Sequence, residues 1–436
     1  MNMHVQIRKA GIDVPLDLAP GRDLGRTVNY EQAVALYGKD LVNFITDHHK
    51  IGDEIGYAAY NAMLARDGNV AAKQMFDQAL AKGIGSVENP PPEMVDLFSS
   101  LDNVPDWVDW DELHRGSVAY WRAGNIVVMA LAYAAIGAGF RTYGGSRPLV
   151  LSRRLIERDQ VGRRLIETLR WAANASKPGG MRRNGDGFRM TMNVRWIHGA
   201  VRHHLSRSDK WDWQDWGMVV ANSDSVYTMG CLFCEAVVDA LAKAGIKLST
   251  REIDDVTALW RYIGHVMGIP EDINFHDWQD LRRKSEVIRL IEHPADDGCR
   301  MLMASLKDYM CEEEIEGYDV LPRFIAKRLS VEQKKTLTYG LMRSWAGDEI
   351  CEQLAIPDNK LRYLLPTLRP FIMAHDKISR LLPHDDEAKA IRSIEAFGVA
   401  TKLNDGETEV ADADDVVRGM KKFSGRAHEI LGSKPH

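Results

Sequence analysis

Apolar residues recur at three- and four-residue spacing through most of this chain, and that period constrains its fold more than any other feature. It predicts helices over 31–65, 70–82, 112–140, 154–175, 189–205, 218–245, 250–267, 300–313, 330–354 and 361–380. Short Gly, Pro and Asn punctuation separates them. Alternating strand patterns are scarce, so the expected class is all-α. Two helix starts carry reciprocal capping signals, Ser249-Thr250-Arg251-Glu252 and Ser330-Val331-Glu332-Gln333.

Three segments break the pattern. Residues 1–28 form a Pro/Gly-containing arm, and 176–188 form a Gly-rich, basic loop between two helices. Residues 401–436 read as an acidic, mobile tail, with six acidic residues and no basic ones over 405–415. The expected organisation is a single helical domain over 29–400 between that arm and that tail.

Composition narrows the function. Hydrophobic residues fill 45% of the 436 positions, which supports a packed core and excludes a disordered chain. The net charge is −6, without the basic excess of a nucleic-acid binder. Five cysteines, an odd number at Cys231, Cys234, Cys299, Cys311 and Cys351, do not make a disulfide framework and suit a reducing compartment. No apolar signal segment follows the charged first residues. The long apolar run Ile126 to Phe140 is shorter than the roughly 20 residues that span a bilayer, so it reads as a buried core helix. The expectation is a cytoplasmic protein without stable membrane insertion.

Chemistry concentrates on two helices. On the helix over 189–205, with Val194 at zero and 100° per residue, Val201 falls near −20°, Leu205 near 20° and His198 near 40°. His198 therefore lies within the apolar stripe. Arg195 and Arg202 share one flank, near 100° and 80°. A buried imidazole bordered by two guanidiniums suits haem, with the ring on iron and the cations on the propionates. The same pattern suits a core histidine bonded to a backbone carbonyl beside surface arginines. On the preceding helix Arg164, Glu167, Thr168 and Trp171 share a face. That face lines either a polar pocket over a metal or an ordinary surface boundary.

Together the two helices resemble the DUF2236 family, which includes the bacterial latex clearing proteins and the fungal oxygenase of mycophenolic acid side-chain cleavage. The resemblance rests on Arg164-Leu165-Ile166-Glu167-Thr168 and on Val194-Arg195-Trp196-Ile197-His198-Gly199-Ala200-Val201-Arg202. It continues through Tyr227 to Phe233, Ala244 to Ser249, Leu259 to Pro270 and Leu354 to Pro357, covering roughly residues 50 to 385.

The resemblance implies a b-type haem in a globin-like helical core with additional helices. His198 matches the family's proximal ligand, and Arg164 and Thr168 match its distal pair. Latex clearing proteins carry an iron-ligating lysine just before that threonine, where this chain has Glu167. They are also exported, and both departures argue against rubber as substrate. Glu167 is the candidate catalytic carboxylate. The implied activity is that of a haem-dependent oxygenase with dioxygen as co-substrate. It would cleave a C=C bond of an apolar terpenoid or unsaturated lipid-like substrate, or hydroxylate it. The rival readings are a haem-based gas or redox binder without turnover, and a helical scaffold without cofactor.

Other features read as structure. Cys231-Leu-Phe-Cys234 is followed by Glu235 instead of the His of a c-type haem site, so it reads as core packing. His48-His49 with Asp53 and Glu54 reads as capping and solvated charge. Trp211, Trp213 and Trp216 read as a structured turn on the core, and Met190 and Met192 as packing.

Overall fold

The computed structural model describes residue 15 and residues 17–152, 158–312, 328–381 and 385–400. Among these residues the chain is helical throughout, with only two isolated β-bridges, Thr27 to Glu292 and Gly52 to Ala221. The principal helices are α1 (Glu54–Lys82), α2 (Trp110–Trp121), α3 (Asn125–Gly139) and α4 (Arg158–Ser176). They continue with α5 (Asp186–Leu205), α6 (Asn222–Ala244), α7 (Thr250–Met267) and α8 (Trp278–Ile291). The last are α9 (Asp297–Glu312), α10 (Val331–Ala346), α11 (Leu364–Leu381) and α12 (Asp386–Ala400).

Local chemistry sets the boundaries. Both predicted capping boxes form, at Ser249 with Glu252 and at Ser330 with Gln333. The window 31–65 is divided, because Gly38 adopts φ +88° and Asp53 caps a new helix by accepting from Gly56 N. Gly68, at φ +72°, kinks α1 between the two predicted windows. Helix α8 lies outside every predicted window. Its Lys284 is buried, donating to Asn274 O and Asp280, which interrupts the apolar period.

Helix α7 is the hub. Trp260, fully buried, stacks on Phe233 of α6 with ring centroids 5.3 Å apart and meets Trp171 of α4 edge-on at 6.2 Å. Tyr120 of α2 closes the cluster 5.7 Å from Trp260. One aromatic knot thus fixes four helices, and α5 also packs on α7.

The Ile126–Phe140 run is a buried helix, as expected. It contains a π-helical turn, Leu131–Ile136, and packs beside a second, Tyr227–Glu235, on α6. Tyr133 stacks on Trp345, and Gly139 admits Leu232 to within 3.1 Å of where a Cβ would stand. Among the described residues one helix, Asn222–Ala244, is long and apolar enough to cross a membrane, and it is mostly buried inside the protein.

The described part of the N-terminal arm is tied down. Arg26 is 1% exposed and bonds Asp224 and Glu292. Residues 1–14, residue 16 and the tail 401–436 lie outside the described residues.

Candidate functional site

Helices α4 and α5 form an antiparallel pair joined by the Gly-rich loop. Trp171 Nε1 donates to Thr191 Oγ1 at 3.0 Å, which sets their register. Gly187 makes the close approach possible, since a Cβ there would lie 2.3 Å from Asn174 O. Counting two turns from the Trp171–Thr191 contact in opposite directions brings Arg164 level with His198. The two groups of residues predicted separately therefore sit on one helix pair.

His198 is partly buried, and among the described residues its ring makes no hydrogen bond or ion pair. Burial pushes it down to about 4; the Arg202 charge adds to this and Asp53 opposes it. At neutral pH the ring is an uncharged imidazole with a nitrogen lone pair available to a metal.

The two flanking arginines are neither surface groups nor open cations. Arg195 is 6% exposed and grips Asp53 with two bonds, Nε to Oδ2 at 2.6 Å and Nη2 to Oδ1 at 2.8 Å. Its Nη1 donates to Val266 O at 3.2 Å. Burial pushes the Asp53 carboxyl up, and the Arg195 charge outweighs this, leaving it below its ordinary value. Arg202, 1% exposed, donates from Nε to Val219 O, from Nη2 to Val220 O and from Nη1 to Asp53 O. Val220 sits at φ +54°, a strained position for a β-branched residue, and the guanidinium holds the two carbonyls around it. The expected propionate clamp thus meets guanidiniums already engaged inside the protein.

On α4, Glu167 is held by two cations. Arg163 Nε donates to Oε1 at 2.9 Å, and Arg164 Nη1 to Oε2 at 2.7 Å. Thr168 is exposed, and its hydroxyl donates to Arg164 O at 2.9 Å. Trp171 turns into the core and leaves the polar face to the other three.

Asp53 is the residue that sequence reasoning placed only as a cap. Its N-cap signal was readable, but a partner 142 residues away was not. The neighbouring His48 and His49 are buried rather than solvated. Their Nδ1 atoms bond Phe44 O and Ser223 Oγ, at 2.8 and 2.7 Å. Among the described residues no group of three or more His, Cys, Asp and Glu side chains could hold a metal ion. Haem asks for one protein ligand, so that finding leaves His198 in play. Cys231 and Cys234 are buried and free, bonded to Ser285 and Thr257, as packing predicts. Trp211 and Trp216 meet edge-on around a short turn, and Met192 is fully buried.

A family model for the catalytic domain of ER-bound oxygenase mpaB/B′ and rubber oxygenase matches residues 110–373, which include both site helices. Among solved structures the chain resembles latex clearing protein in the closed state, with TM-score 0.56 and 16% identity. That alignment covers 80% of this chain and 91% of the other, and at this identity it carries the fold alone. A search of curated protein sequences gives no match.

Proposed function

Because this chain belongs to the family of mpaB/B′ and rubber oxygenase catalytic domains, we propose that it is a haem b-dependent oxygenase acting on an apolar small molecule. The observation that carries the reading is His198: a neutral, partly open imidazole without a partner among the described residues, level with Arg164 across the helix pair. That nitrogen donor is of the kind that would hold a haem iron. When bound, haem b would supply the iron that activates dioxygen.

The residues of the chain then divide the remaining work. His198 would hold the haem iron and is the metal-binding residue of this reading. Arg164 and Thr168 give the facing helix its hydrogen-bonding groups. Glu167 is the proton acceptor for the allylic carbon of an unsaturated terpenoid or lipid-like substrate, once it exchanges one of its arginine contacts. Arg195 and Arg202 hold the His198 helix against Asp53 and the Val219–Val220 turn, and cofactor binding depends on them through that brace. The cleaved or hydroxylated bond lies in an apolar substrate, which suits a site bordered by the partly buried Val194 and Ile197.

Reconstitution tests the reading. Purified protein with haem b should give a Soret band and, with an unsaturated terpenoid or polyunsaturated fatty acid, consume oxygen. A Soret band without oxygen uptake on any such substrate would favour the haem-based gas or redox binder. No haem uptake would overturn both.

A further inference from the structure

Helix α11 is apolar on two faces. On its inner face Leu365 and Ile372 pack toward the core, where Asp376 lies 3.7 Å from the buried Arg122 and Arg380 Nη2 donates to Lys247 O at 2.7 Å. Its outer face carries Leu368, Phe371, Ile378 and Leu381, exposed by 44, 72, 59 and 85%. Burial is worth about 25 cal/mol per Å² of apolar surface, so a face like this marks an interface.

The spacing says what kind. Leu364, Leu368, Phe371, His375 and Ile378 follow a four-three-four-three rhythm, the 3.5-residue seam that a second helix lies along. A lipid surface asks for a cation-rich rim, and Lys377 is the one full charge on the outer arc of α11.

The chain carries a matching seam. Val416, Met420, Phe423, Ala427 and Ile430 repeat the same rhythm over the same length, with Arg418, Lys421, Lys422 and Arg426 between them. Reach is sufficient. Helix α12 returns along α2, with Glu387 3.3 Å from His114 and Ser393 beside Gly124, close to the Arg122 that faces Asp376. Ala400 follows Ser393 by about 10 Å of helix. Residues 401–415 then span up to roughly 50 Å if extended.

We propose that residues 416–430 dock as an amphipathic helix along the outer seam of α11 in the same chain. Phe371 and Phe423 are the central positions of the two seams, so they meet whether the helices run parallel or antiparallel.

Hydrogen exchange on the full-length chain tests this. Peptides covering 416–430 should exchange roughly tenfold or more slowly in the unaltered chain than in Met420→Asp/Phe423→Asp. Phe371→Asp/Ile378→Asp, at exposed positions, should release the same peptides while α7 keeps its protection. Independently, a Phe371→Cys/Phe423→Cys chain should oxidise to a disulfide-closed monomer. Equal tail exchange in all three chains would overturn the proposal. So would cross-linked dimers with concentration-dependent protection, which assign the seam to a second copy. Binding to phosphatidylcholine–phosphatidylglycerol vesicles that is lost in Phe371→Asp/Ile378→Asp, without tail protection, would assign it to lipid.

Discussion

Three side chains of the α4–α5 pair carry the proposed chemistry and its support. Among the described residues His198 is left without a partner while its neighbours are paired, and an unpaired neutral imidazole is what ligation of a metal requires. His198→Ala should therefore purify with little or no haem, its helicity unchanged by circular dichroism. An unaltered Soret band in that variant would remove His198 as ligand. Glu167→Gln keeps size and hydrogen bonding to Arg164 and removes the charge. It should bind haem normally and lose most turnover, read as oxygen uptake against haem content. Undiminished uptake would reduce Glu167 to an ion-pair partner of Arg163 and Arg164. Arg195 belongs to a different class, since it is locked to a buried carboxylate. Arg195→Ala leaves Asp53 charged and unpaired, at a cost of about 3–5 kcal/mol. Urea unfolding should show that loss in protein prepared without haem, which separates bracing from cofactor binding.

At the scale of elements, the site depends on how closely two helices approach. Gly187 stands where α5 passes the end of α4, and a Cβ there would meet Asn174 O and Ala175 Cα at 2.3 and 2.6 Å. Both neighbours are backbone and cannot swing aside. Gly187→Ala should destabilise by roughly 1–3 kcal/mol as the helices are forced apart. It should also weaken haem retention without touching any proposed ligand, as timed by transfer to apomyoglobin. The hub helix α7 depends on its start instead. Ser249 Oγ accepts from Glu252 N while the Glu252 carboxylate accepts from Ser249 N, so two otherwise orphaned donors are satisfied together. Ser249→Ala should cost about 1 kcal/mol, seen as a lower Tm with unchanged haem binding.

For the molecule as a whole, buried titratable groups set the response to acid. Burial holds the His48 and His49 rings below the ordinary imidazole value of about 6.5. Above that pH both folded and unfolded rings are neutral and contribute nothing. Below it the unfolded chain takes up protons first, so stability falls as pH drops. Asp296 lies in the opposite chemical class with the same outcome. Burial raises its carboxyl, and the bonds and charge of Arg147 overcome this, leaving it below its ordinary value. Its stabilisation is complete above a pH of about 4 and disappears as pH falls through the folded-state value. Unfolding free energy should thus decline from pH 7 to 5, then decline further below 4. His49→Gln should flatten the first part of that slope and leave the second. An identical slope in the variant would mean the histidine does not carry it.

Sequence by itself determined the parts that depend on near neighbours. The 3.6-residue apolar period gave the class, local hydroxyl–carboxylate pairs gave the caps, and glycine-rich punctuation gave the loop between α4 and α5. The motifs on those helices resemble the family to which the chain belongs. Charged helices escaped this reading, because α8 buries a lysine whose partners come from another turn and from its own. Only the tertiary structure decided which charges are spoken for. Helical angles placed Arg195 and Arg202 beside His198, but could not show that Asp53 and the Val219–Val220 turn fold back onto them. A wheel orders the side chains of one helix around its axis. The partner of a buried charge is chosen by desolvation and long-range closure, and both act between segments that sequence spacing leaves far apart.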